Sequence, residues 1–165
     1  PRYINLVPIE GAIGFMDKLK DEADLDLVGH EAFSDLLTYL GYPQFDVDYG
    51  KGNFPQEASL GDHISFNKGC YVGQEPHARM YHRGHPNWVL VRLTIPKDVD
   101  VKPGTELYAE GEGAGTLTSL SSIHDGEVKK GIGMIRHKLS LSGTVLNLKE
   151  DSTILIRQEA LTYQN

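Results

Sequence analysis

The sequence predicts an α+β chain, with a helix-bearing N-terminal part followed by a small antiparallel barrel or sandwich. Three observations carry this. Residues 30–40 place Phe33, Leu36, Leu37 and Leu40 at the i, i+3, i+4, i+7 spacing of one helix face. From Trp88 onward the period changes to two, with Val89, Val91, Leu93 and Ile95 alternating with Leu90, Arg92 and Thr94. Between them, Gly84-His85-Pro86 breaks both patterns and marks a boundary that separates residues 1–86 from residues 87–165.

Taken in order, Tyr3 to Val7 reads as a strand, ended by Pro8 and Gly11. Ile13, Met16 and Leu19, with Lys20, give a weaker helical stripe to about residue 23. Asp24 to Val28 is a second short strand. The helix over 30–40 follows, its stripe expected to face a core, and Gly41-Tyr42-Pro43 ends it. Residues 43–69 are turn-rich, with Pro43, Gly50, Gly52, Pro55 and Gly61. A short helix is expected over 75–83, because Pro76 suits a first turn and Gly84 a stop. After the strand that begins at Trp88, further strands are expected near 105–109, 114–121, 131–136, 143–148 and 152–157. So many short strands in about eighty residues suit a small antiparallel β unit.

Composition narrows the class. A hydrophobic share of 39% and a charged share of 24% are those of an ordinary globular chain able to bury a core. The net charge of −7 lacks the basic excess that a nucleic-acid backbone or an anionic membrane would call for. No apolar run approaches a membrane span, and no signal peptide is visible. A single cysteine cannot close an internal disulfide, which points to a reducing compartment.

That cysteine, Cys70, sits in Lys68-Gly69-Cys70-Tyr71-Val72-Gly73-Gln74-Glu75, followed by Pro76-His77-Ala78-Arg79. The thiolate, not the thiol, attacks electrophiles and binds soft metals, and nearby cations such as Lys68 and Arg79 favour it. Unpaired N–H groups at a helix start also favour negative charge. The plainer alternative is a small buried hydrophobe. Gly69 and Gly73 are expected to allow backbone geometry closed to other residues. Tyr71 would pack, and Arg79 would pair with Glu75 or hold an anion.

The pattern Lys68-Gly69-Cys70-Tyr71-x-Gly73-Gln74-Glu75-x-x-x-Arg79 resembles the signature of the YgfZ-type folate-binding proteins, relatives of the glycine-cleavage T-protein (aminomethyltransferase). The runs Asn53 to Leu60 and Ile64-Ser65-Phe66 resemble the family's approach to this motif. Lys102-Pro103-Gly104-Thr105 and Gly113 to Ser119 resemble its C-terminal barrel, so the likeness covers roughly residues 40–150. It implies part of a ferredoxin-like middle domain over 1–86 and a small antiparallel β-barrel over 87–165. It also implies a folate-dependent factor assisting iron–sulfur cluster assembly or repair, with Cys70 as its thiolate. Lys68, Gly69, Tyr71, Gly73, Gln74, Glu75 and Arg79 would then form the cofactor-binding surround for tetrahydrofolate. The implied partners are iron–sulfur assembly proteins or client iron–sulfur enzymes, with no nucleic acid and no membrane. The implied location is the bacterial cytoplasm, with the mitochondrial matrix as the alternative. An aminomethyltransferase of the T-protein type is the second function compatible with the family. Members run to about twice this length, so the likeness implies a C-terminal portion, and these residues alone are expected to bind tetrahydrofolate poorly.

Other constellations compete. Cys70, His77, His82 and His85 have zinc-binding chemistry, but His77 and His82 lie about 140° apart on a helix. Cys70 with His77 would make a nucleophilic pair if the side chains met. Asp46, Asp48 and Glu57 lack the spacing of an EF-hand and read as a solvated loop. Gly111, Gly113 and Gly115 lie between strands and read as turn and bulge positions, not a nucleotide fingerprint.

Overall fold

A computed structural model describes residues 5–23, 25–140, 144–148, 156–159 and 161. The chain divides into two compact units, Pro1–Ala32 and Phe33–Asn165. In the first, a 3-10 turn at Ile9–Gly11 leads into helix α1, Ala12–Ala23, none of whose residues is buried. Tyr3, Ile4 and Asp24 fall outside the described residues, and the strands expected at 5–7 and 25–28 are absent. An isolated extended segment has no ladder to satisfy its backbone, and Leu6 (95% exposed) has nothing to pack on. Helices, and no strand, therefore represent the expected ferredoxin-like part among the described residues up to 86.

Helix α2, His30–Leu40, has the expected bounds, and from Phe33 on it belongs to the larger unit. Gly41 stops it at φ 80°. Gly41 N donates to Thr38 O at 3.0 Å and Tyr42 N to Leu37 O at 2.9 Å, which together make a Schellman end. The expected core stripe is a correction. Phe33, Leu36 and Leu40 are 48, 39 and 38% exposed, while Thr38 is the buried residue. The polar side of α2 is the packed one. Ser34 Oγ donates to Gln44 Oε1 at 2.7 Å, and Asp35 accepts from the Ser122 backbone at 2.8 Å. Those fixed partners outweigh the apolar stripe in setting the helix's rotation.

Helix α3, Gln74–Arg83, is followed by β1 (Trp88–Pro96), β2 (Glu106–Ala109), β3 (Glu112–Asp125), β4 (Val128–Arg136), β5 (Val145–Leu146) and β6 (Ile156–Glu159). Of the last expected strand, residues 152–155 lie outside the described residues. The sheet order is β2-β3-β4-β1-β6-β5, with each neighbouring pair antiparallel. β2, β3, β4 and β1 form its continuous body. The sheet does not close into a barrel. Its edges β2 and β5 meet at one bridge, where Tyr108 and Asn147 exchange backbone hydrogen bonds of 2.9 and 2.8 Å. β5 is too short to add a ladder there.

The alternation in β1 sorts its side chains. Val91, Leu93 and Ile95 join Leu107, Leu117 and Ile135 in the main core. Leu90 joins Ala58, Ile132 and Leu161 in a smaller cluster. Full burial of each such leucine or isoleucine is worth about 1.5–3 kcal/mol, so this sheet anchors the loops below. Gly111 occupies the β2–β3 turn, with Gly113 and Gly115 in β3, as the turn and bulge reading expects.

Candidate functional site

Three contacts position the motif. Leu90 N on β1 donates to Glu57 O at 2.8 Å, and Ser59 Oγ donates to Leu90 O at 3.1 Å, which pins loop 53–60 to the sheet. From that loop, Gln56 Oε1 lies 2.9 Å from His77 Nδ1, and Gln56 Nε2 donates to His77 O at 3.3 Å. Phe54 meets the His77 ring edge-on at 5.5 Å. The sheet therefore holds the loop, and the loop holds α3. Gln56 was not singled out from sequence; its only signal there was its place in the Asn53–Leu60 run.

Gly73 precedes α3 at φ 86°, a left-handed conformation that a side chain would strain. Gly69 is different. It does not share the positive φ, and a Cβ built there meets nothing within 4 Å. The geometric demand expected of both glycines thus falls on Gly73. Helix α3 starts one residue earlier than expected. Glu75 lies in its first turn and His82 and Arg83 in its last, so the charges complement the helix ends.

Cys70 is exposed in the loop before α3, and it has no hydrogen-bond partner among the described residues. The cations beside it in sequence have other described partners. Lys68 Nζ lies 4.7 Å over the Tyr71 ring, and Arg79 Nη2 bonds Glu75 Oε1 at 3.1 Å across one exposed helical turn. Such a pair contributes little to stability. Tyr71 is half-buried, 6.4 Å from the His77 ring, and its hydroxyl is buried without a partner among the described residues. Gln74 N donates to Tyr71 O at 3.2 Å. A cavity of about 390 Å³ opens beside α3, lined by Phe54, Glu75, Pro76, Arg79 and Met80.

The competing constellations come apart. His77 Nδ1 meets Gln56, and no hydrogen bond joins Cys70 to His77 among the described residues. His82 packs near Phe66 and Tyr81, and His85 stacks on His137. No three His, Cys, Asp or Glu side chains among the described residues converge as metal ligands. The acidic loop is also a correction. Asp48 is buried, and it accepts from Thr118 Oγ1 at 2.6 Å, Ser119 Oγ at 2.7 Å and Gln44 N at 2.9 Å. Glu57 caps its own loop by accepting from Phe54 N at 3.1 Å. Only long-range donors could turn a loop acid inward, and spacing does not reveal them. No helix among the described residues is long and apolar enough to cross a membrane.

Among known proteins, this chain is similar to a chloroplastic protein of Arabidopsis thaliana, 28% identical over 150 residues, covering 90% of this chain and 34% of that one. It is similar to the "tRNA-modifying protein YgfZ" of Sodalis glossinidius, 27% identical over 173 residues, covering 99% of this chain and 50% of that one. YgfZ proteins of further bacteria match over a comparable share. The chain thus spans half or less of the length of the curated relatives it matches. No family model matches it. Among solved structures, it superposes on the glycine cleavage system aminomethyltransferase T from Bartonella henselae with a TM-score of 0.77 and 21% identity, covering 95% of this chain and 45% of that one. The cysteine-centred motif agrees with these matches: the chain resembles the YgfZ-type proteins, on a fold it shares with the glycine-cleavage T-protein.

Proposed function

We propose that the chain is a folate-related factor that assists iron–sulfur cluster assembly or repair, with Cys70 as its working thiolate. The observation that carries this reading is the exposure of the chain's only thiol within a motif that resembles that of the YgfZ-type proteins. An exposed thiolate can ligate a cluster iron, or take the outer sulfur of a partner's persulfide with the partner's thiolate as leaving group, and pass it on. Cluster fragments are the cargo here.

The donor set beside α3 fits tetrahydrofolate. Phe54 offers an aromatic face, Glu75 accepts from ring N–H groups and Arg79 is a cation for a glutamyl carboxylate, while Tyr71 stands in the proposed surround with its hydroxyl buried. Lys68, Gly69, Gly73 and Gln74 shape the same surround. When bound, tetrahydrofolate supplies a one-carbon carrier. The working organisation would be a middle-domain part over 1–86 and a β unit over 87–165 approaching a barrel, in a bacterial cytoplasm or a mitochondrial matrix. The partners would be iron–sulfur assembly proteins or client enzymes. The relatives' printed name extends this: such a client would act on tRNA, while a net charge of −7 disfavours this chain's holding the polyanion itself.

The T-protein fold supports a second reading, tetrahydrofolate-dependent aminomethyl transfer. That chemistry does not need the thiol. The test is Cys70→Ser in cells lacking the endogenous protein, with melting temperature and the activity of a cluster-dependent enzyme both measured. Cys70 is exposed, so the substitution should move stability by no more than about 0.5 kcal/mol. Rescue lost from a stably folded variant is expected. Full rescue would remove the thiolate role and leave aminomethyl transfer as the surviving function.

A further inference from the structure

A second cavity, of about 360 Å³, lies where β4 ends and β1 begins, lined by His85, Asn87, Trp88, Arg136, His137 and Lys138. The sheet builds it. Trp88 and Arg136 are cross-strand partners, which lays the guanidinium over the indole at 5.5 Å. His137 N donates to Asn87 O at 2.8 Å, tying the turn after β4 to the residue before β1. The His85 and His137 rings then stack in parallel, with centroids 4.0 Å apart and planes within 6°.

The protons on these rings can be placed. His85 Nδ1 lies 2.9 Å from Pro86 O, and a carbonyl can only accept, so Nδ1 carries hydrogen and Nε2 remains free. Neither ring nitrogen of His137 has a partner among the described residues. Partial burial, and then repulsion from His85, hold His137 below the usual imidazole range. The charged groups facing the pair are Arg136 and Lys138, and the one acid nearby, Glu112, is bound to Lys138 at 3.1 Å. The lining has no carboxylate of its own. Cationic and N–H donors therefore converge on a cleft with an indole wall, and the acid that balances Lys138 and Arg136, Glu112, lies outside its lining.

We propose that this cleft binds a phosphate group, with His85, His137 and Arg136 donating to its oxygens and Trp88 receiving a flat group attached to it. The ligand class is a nucleoside monophosphate or a similar aromatic phosphate ester. The bound anion supplies the negative charge that two stacked imidazoles need in order to be protonated together, so binding strengthens toward acid.

Trp88 is the only tryptophan of the chain, so its emission reports on this cleft. The test titrates the 165-residue chain with adenosine 5′-monophosphate, inorganic phosphate and adenosine, at constant ionic strength, near pH 6 and near pH 8. The expected result is a saturable change with the monophosphate, half-complete below about 1 mM near pH 6 and weaker by about tenfold near pH 8, as proton uptake on binding requires. The His137 ring proton should titrate higher when the cleft is filled. His85→Gln, at an exposed position, should weaken binding about tenfold with the fold intact, the loss of one charge-assisted hydrogen bond. Equal binding of inorganic phosphate would assign the site to the phosphate alone, and tighter monophosphate binding would add the indole contact. No saturable change up to about 10 mM, equal binding of adenosine, or binding unaltered in both His85→Gln and His137→Gln would overturn the proposal.

Discussion

Replacing Asp48 tests whether a buried carboxylate, which local pattern would leave in solvent, holds the segment after α2 against the sheet. Its Oδ1 accepts from Thr118 and Ser119, some seventy residues on in β3, and its Oδ2 accepts from Gln44 N. In Asp48→Ala the three donors fare differently. Thr118 Oγ1 keeps Ile132 O at 2.9 Å and loses little. Ser119 is 5% exposed and has no other described partner, so its hydroxyl is stranded at a cost of about 1–3 kcal/mol. Gln44 N is half-buried and recovers part of its loss from water, which leaves about 0.5–1.5 kcal/mol. Returning a charge to solvent offsets some of this. The expected sum is a loss of about 1–4 kcal/mol, or about 2–16 °C in melting temperature for a chain of this size. Asp48→Asn keeps an acceptor for both hydroxyls and turns an amide N–H toward Gln44 N, so it should cost about half as much. Urea titration of both variants reads this as a shift in midpoint at constant m. An Asp48→Ala variant within about 0.5 kcal/mol of wild type, or an Asn variant worse than the Ala one, would refute the reasoning.

Asp35 makes a prediction against pH. Partial burial raises its carboxyl, but hydrogen bonds from Ser122 and Ser121 side chains and the Ser122 backbone outweigh this and hold it below the ordinary value. Its contribution is therefore complete above the unfolded value of about 3.9 and is lost as pH falls through the lower folded value. Asp35→Asn should flatten that part of the urea-midpoint profile, and an unchanged acid slope would contradict it. The two motif glycines should separate. Gly73→Ala meets a φ of 86° and should cost about 1–2 kcal/mol. Gly69→Ala meets open space and should change the melting temperature by no more than the error of the scan. Equal effects would show that the left-handed turn does not hold.

Local pattern is enough to place most elements here. The helix expected over 30–40 has those bounds in the structure, and the one expected over 75–83 begins only at Gln74. The strand that begins at Trp88 appears where its period-two run predicts it, and β2 to β6 overlap the further strands expected after it. The motif itself was legible too, because Lys68 to Arg79 lies within twelve residues and its pattern is carried by residue type. The exposure of Cys70 and the loop-to-helix entry at Gly73 follow from that local order.

What escaped is everything decided by a distant partner. Periodicity marked a face of α2 but not which face packs, and Ser122 and Gln44 drew the polar side inward. Spacing put Asp48 in a loop, and Thr118 and Ser119 buried it. His85 and His137 carry no joint signal at a separation of fifty-two residues, yet the β1–β4 register stacks them. The reason is common to all three. Hydrophobic pattern depends on neighbours within a turn or a pleat, whereas a polar side chain goes inward only where the folded chain brings a donor or acceptor to meet it. That meeting is a property of strand order and register, and the tertiary structure alone supplies both.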